Sequence, residues 1–267
     1  MAPLFHALYT NAFGRRGQGF RTLFVAPEWP PADRRRVGGW LEFLRPDEAG
    51  AEERLAVNGF RVGGTLHACL ARLDDAFARD EHGRGGGRLV HALLLPLDED
   101  LPADDFIGAL LAASRAFDRP PAAGDEERLE AYLERCRAVR EARVQPVDLD
   151  ALRALDADFL IRFYAFSTGA SRAAEAVFGQ SAAPLADALV LASGGLPPRL
   201  RLACRWALGL RATPETSFVA RRARDGEGLP PVPEGPGRAY AGWLRAGGAA
   251  PRDWDVRSWD ALLERMR

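Results

Sequence analysis

"RGGGRLVHALLLP", Arg84 to Pro96, is the stretch whose reading decides the fold. An arginine and three glycines lead into an apolar run that only His91 interrupts, and a proline closes it. At a strand's period of two, Leu89, His91, Leu93 and Leu95 fall on one face and Val90, Ala92 and Leu94 on the other. Both faces are apolar, so the strand is expected at the centre of a sheet, covered on both sides. Pro96 has no N–H to donate and ends the ladder there. Arg84, Gly85, Gly86, Gly87 and Arg88 read as the hairpin loop feeding the strand, with glycines that permit positive φ. Because recognition residues concentrate on loops, these five form the candidate partner-contact loop.

The same glycines do not make a phosphate cradle. A P-loop needs GxxxxGK[ST] ahead of a helix, whereas Gly87 is followed by Arg88, Leu89 and a strand. The chain contains no lysine at all, since its 36 basic residues are all arginine. That removes the Schiff-base lysine, the P-loop lysine and the Ser–Lys dyad together.

Outward from this strand the first hundred residues read as β-rich. "FHALYT" (Phe5–Thr10) and "FRTLFVAPEW" (Phe20–Trp29) are strands joined by a glycine-rich turn. Pro30 and Pro31 start a short helix over 32–37. Asn58-Gly59 is the strongest hairpin signal in the chain. "TLHACLARLDDAF" has both helical and strand spacing and is read as a strand, because a glycine loop and a second apolar run follow it. "LPADDFIGALLAASRAF" is a helix with Asp104 or Asp105 near its start. Beyond "DRPPAAGDEE" (118–127) the spacing predicts helices over 126–143, 149–166, "PLADALVLAS", "PPRLRLACRW", "RAYAGWLRAG" and "SWDALLERMR". Two short strands flank a turn at Thr213–Glu215. The expected class is α+β: a β-rich domain with antiparallel hairpins over 1–118, and a mostly helical domain with a short β-hairpin over 126–267.

At 267 residues, 47% apolar and 27% charged, the composition is that of an ordinary globular protein. A net charge of −1 supplies no overall basic field for nucleic acid or anionic lipid. Cys69, Cys136 and Cys204 are far apart, without CxxC spacing, and read as reduced, buried thiols. No run reaches the roughly 18 apolar residues of a membrane span, and the N-terminus lacks the apolar core of a signal peptide, so a cytoplasmic location is expected.

No residue type in the chain stands in a catalytic or metal-binding spacing. His6, His67, His82 and His91 show neither HExxH nor HxH. A cluster of His6, His67 and His91 would require a particular strand register. Ser114, Ser167, Ser171, Ser181 and Ser193 lie outside GxSxG. The acidic run Asp98–Asp105 reads as a solvated loop ahead of a helix N-terminus, where carboxylates are favoured. No catalytic residue, cofactor or metal ligand is therefore assigned. His91 is expected as a neutral core histidine with a hydrogen-bond partner.

The order "FHALYTNA…GFRTLFVAPEWP", a hairpin, then "GRLVHALLLP" resembles the N-terminal domain of the bacterial GTPase-associated protein family. The matching positions are Tyr9, Thr10, Gly19, Phe20, Pro27, His91, Ala92, Leu93 and Pro96. A looser likeness runs through "GLPPRLRLACRWALGL" and "RAYAGWLRAG", where "CRWALGL" departs from the family's Phe-Ser-Thr strand. The resemblance implies a non-enzymatic adaptor of a bacterial conflict or signalling system, binding a protein partner such as a small Ras-like GTPase. It implies no catalytic residue and no small-molecule substrate. Two rival expectations are a hydrolase or nuclease built from scattered His, Asp and Arg residues, and an adaptor of a larger defence or secretion assembly without a GTPase.

Overall fold

The computed structural model describes residues 1–10, 20–25, 29–47, 53–77, 87–97, 105–117, 126–167, 174–179, 184–232, 234–249 and 256–267. In chain order the elements are β1 (Ala2–Pro3), β2 (Phe5–Thr10), β3 (Arg21–Val25), α1 (Pro31–Phe43), β4 (Leu55–Val62), β5 (Thr65–Phe77) and β6 (Gly87–Pro96). Then come α2 (Phe106–Arg115), α3 (Glu126–Ala138), β7 (Glu141–Ala142), α4 (Leu149–Ala154), α5 (Ala157–Ser167), β8 (Ala174–Phe178) and α6 (Leu185–Gly194). The chain ends with α7 (Pro198–Ala203), β9 (Trp206–Leu208), β10 (Phe218–Arg222), α8 (Pro236–Arg245) and α9 (Trp259–Met266).

The fold is α+β, built on a mixed eight-stranded sheet in the order β3-β2-β6-β5-β4-β9-β10-β8. β6 lies between β2 and β5, antiparallel to both. Its two apolar faces serve two cores. Leu93 and Leu95 join one with α2, α5 and α6. Val90, Ala92 and Leu94 join the other, under Val37, Trp40 and Leu41 of α1. Each face thus removes apolar side chains from water, the dominant stabilising term.

Local signals account for most element ends. Asp105 accepts from the Gly108 N–H (2.8 Å) and caps α2. Pro197 and Pro198 open α7. Several expectations need correction. Asn58 and Gly59 lie inside β4, paired with Cys69 and Ala68. The turn is five residues later, at Gly63 (φ +57°) and Gly64 (φ +86°), which adopt the left-handed backbone a two-residue hairpin requires. Gly59 instead faces α7, where a Cβ would stand 3.4 Å from Leu202 Cβ, at van der Waals contact. The helix after Pro31 runs on to Phe43 because Val37, Trp40 and Leu41 continue its buried face.

Downstream, α3 stops at Ala138, and Glu141–Ala142 pair with β1. The helix predicted over 149–166 is two helices. Asp156 breaks it by accepting from the N–H groups of Asp158 (2.9 Å) and Phe159 (3.1 Å), capping α5. β9 and β10 do not form a hairpin. They run parallel, Phe218 opposite Trp206, and β8, which the sequence pattern did not reveal, lies parallel on the far side of β10.

Because β9 pairs with β4, strands from both sides of the predicted 118/126 division share one sheet. One core likewise joins Leu93 and Leu95 to Phe163, Leu189 and Trp206. Residues 119–125, the expected linker, lie outside the described residues.

Candidate functional site

Antiparallel pairing sets Leu93 opposite His6 and His91 opposite Leu8, so the two imidazoles are diagonal neighbours on one sheet face. His6 Nδ1 and His91 Nε2 are 3.1 Å apart. α3 lies over them, with Tyr132 and Cys136 one helical turn apart on its buried side. The Tyr132 hydroxyl is 2.8 Å from His91 Nδ1, and Cys136 Sγ is 4.0 Å from His91 Nε2. Just past α3, the Val139 carbonyl is 2.6 Å from His6 Nε2. Phe117 closes the group, its ring edge-on to His91 at 4.7 Å between centroids.

Every proton in this chain can be assigned. A carbonyl only accepts, so His6 Nε2–H donates to Val139 O. His6 Nδ1 then accepts from His91 Nε2–H, and His91 Nδ1 accepts from the Tyr132 O–H. Burial favours these neutral forms. It lowers His6 to about 4, against the help of the Val139 carbonyl. Burial, with the charges of His6 and Arg72, holds His91 well below the usual imidazole range. Tyr132 is pushed well up and Cys136 to about 12, both chiefly by burial. At neutral pH Cys136 is therefore a thiol, and the thiolate form is the nucleophile and the metal ligand. No carboxylate belongs to the group among the described residues. Asp74, on the next strand, is engaged by Arg72, which also donates to the Ser114 and Phe117 carbonyls.

Of His6, His67 and His91, whose clustering requires a particular strand register, His6 and His91 meet. His67 points to the opposite sheet face, its ring against Phe5 (5.2 Å) and its Nδ1 donating to the Thr65 carbonyl. His82 lies outside the described residues, as do Arg84, Gly85 and Gly86. Gly87 and Arg88 open β6. Near them, Thr10 pairs with both Arg21 and Leu89, so the strand ends bracketing 11–19 and 78–86 lie side by side. Tyr9 is buried there, and Phe20, 40% exposed, stacks on it at 5.3 Å. Pro96 is at the other end of β6, opposite His67. Tyr132 and Cys136 were not singled out as site residues; their i, i+4 spacing on an apolar helix face was the available signal.

Comparison with protein-family models, with curated proteins and with solved structures finds no match for the chain. Among the described residues, no helix is long and apolar enough to cross a membrane.

Proposed function

We propose that the protein is a non-enzymatic cytoplasmic adaptor of a bacterial GTPase-linked conflict or signalling system. It binds a protein partner, a small Ras-like GTPase in the leading case. The observation that carries this reading is Phe20. It is a large aromatic, 40% exposed, seated on buried Tyr9 at the sheet end where β2, β3 and β6 terminate together. Exposed aromatics on a rigid base are the usual anchors of protein interfaces. In sequence, the segment between β2 and β3 carries Arg15 and Arg16 and no acidic residue, which suits an acidic partner surface. The resemblance of Tyr9, Thr10, Phe20, His91 and Pro96 to the GTPase-associated family supplies the GTPase.

The test is affinity purification from the native bacterium with the wild-type chain and with Phe20→Ser. Mass spectrometry identifies what is retained. Recovery of a Ras-like GTPase with the wild type, reduced at least tenfold with Phe20→Ser, supports the reading. Equal recovery by both chains, or recovery of no GTPase, overturns it.

A further inference from the structure

His6, His91 and Cys136 come from three elements, two paired strands and the helix across them, and one donor atom of each lies within 4.8 Å of the other two. We propose that these residues bind a single divalent ion of the zinc class through His6 Nδ1, His91 Nε2 and Cys136 Sγ. The inference goes beyond the adaptor reading and does not rest on it.

Two imidazole nitrogens and one sulfur are the donor set of a borderline-soft cation, not of magnesium or calcium. Metal–nitrogen bonds of roughly 2.0–2.1 Å and metal–sulfur bonds of about 2.3 Å, at tetrahedral angles, separate two nitrogens by about 3.3 Å and nitrogen from sulfur by about 3.6 Å. The corresponding separations are 3.1 Å for His6 Nδ1 to His91 Nε2 and 4.0 Å for His91 Nε2 to Cys136 Sγ. The third pair, His6 Nδ1 and Cys136 Sγ, lies within 4.8 Å. The two nitrogens therefore need shift by only a few tenths of an ångström, while the sulfur closes on His6 by up to about 1 Å through side-chain rotation.

The outer partners fit as well. A metal-bound histidine ordinarily donates its other N–H to a carbonyl or a polar side chain, which fixes the ring. His6 Nε2 already donates to the Val139 carbonyl at 2.6 Å. His91 Nδ1 faces the Tyr132 hydroxyl at 2.8 Å. On binding, the single imidazole proton of His91 moves from Nε2 to Nδ1 and is donated to the Tyr132 oxygen, so His91 stays neutral. The thiol proton of Cys136 leaves to solvent, so one proton is released per ion. The thiolate offsets one of the two positive charges, and the Arg72 charge felt at His91 is engaged by Asp74. Three protein donors leave a fourth position for a water molecule, and the Phe117 ring walls the two imidazoles.

Cobalt(II) is the probe, because a cobalt–thiolate bond gives a near-ultraviolet charge-transfer band. The full-length protein, stripped with chelator, is titrated with Co²⁺. The expected result is one equivalent bound, with that band, displaced by Zn²⁺. Cys136→Ser loses the band, while Cys69→Ser and Cys204→Ser keep it. Tyr132→Phe keeps the band but weakens binding about 10–100-fold, the loss expected for an outer-shell partner. A wild-type protein without the band overturns the proposal, whatever the variants do. So does a band that survives in Cys136→Ser or vanishes in Cys69→Ser.

Discussion

The Tyr132 hydroxyl donates to Nδ1 of His91, 2.8 Å away, and so ties α3 to the central strand of the sheet. The bond ends a chain that runs through His6 to the Val139 carbonyl. Tyr132→Phe keeps the ring packed on Phe117, 5.5 Å between centroids, but leaves a buried imidazole nitrogen without its donor. An unpaired buried acceptor costs about 1–3 kcal/mol. In metal-free buffer the variant is expected to unfold at lower urea with an unchanged m-value. A urea midpoint equal to wild type would show that the hydroxyl does not hold the helix.

Arg221 on β10 clasps Glu227, at 2.7 and 2.6 Å, and Glu175 on β8, at 2.6 and 3.3 Å. The guanidinium, with the Arg224 N–H, lowers Glu227 to about 2 from an ordinary 4.5. The folded state therefore holds this proton less tightly than the unfolded chain does. Its stabilisation is complete above pH 4.5 and fades as pH falls toward 2. Carboxyl-resolved NMR titration is expected to put the Glu227 midpoint near 2, and Arg221→Ala to return it toward 4.5. A wild-type midpoint already near 4.5 would show that the clasp is not populated in solution.

What the sequence carried was local periodicity. β6 was legible because two alternating apolar faces admit few other placements, and α2 because Asp105 precedes a clear helical stripe. Pairing between distant segments was not carried. His6 and His91 are 85 residues apart, and their approach depends on the β2–β6 register, which no short pattern encodes. Cys136 was legible as a buried thiol, but neither its sharing a helix face with Tyr132 nor what that face covers was. At Thr213–Thr216 the turn exists, held by the Thr216 hydroxyl on the Thr213 N–H. The chain leaves it to run parallel to β9 instead of folding back, a pairing that the local turn does not encode. Asn58-Gly59 misled because two glycines at 63 and 64 offered the hairpin a better place.

Asp156 separates α4 from α5, its carboxylate taking the N–H groups of Asp158 and Phe159. Asp156→Ala removes that cap and is expected to cost about 0.5–2 kcal/mol, whereas Asp156→Ser restores most of it. The comparison is made by urea denaturation of both variants. Equal midpoints for alanine and serine would mean that the break between the helices has another cause.

α8 crosses α5 at Gly237, where the absence of a side chain sets the distance between them. A Cβ at this position would lie 2.1 Å from the Tyr164 carbonyl oxygen and 2.7 Å from the Ala165 nitrogen, both backbone atoms that no rotamer can move. Five residues on in the same helix, Gly242 has nothing within 4 Å of its would-be Cβ. The two glycines therefore respond to alanine with opposite sign. Gly237→Ala forces the helices apart and loosens the packing of Tyr240 on Tyr164, at a cost of about 1–3 kcal/mol or more. Gly242→Ala restricts the unfolded chain and raises helix propensity, a gain of roughly 0.5–1 kcal/mol. Thermal melts of both variants beside wild type decide the matter. Gly237→Ala should melt several degrees lower and Gly242→Ala slightly higher. If Gly237→Ala melts with wild type, the close crossing of α5 and α8 is wrong.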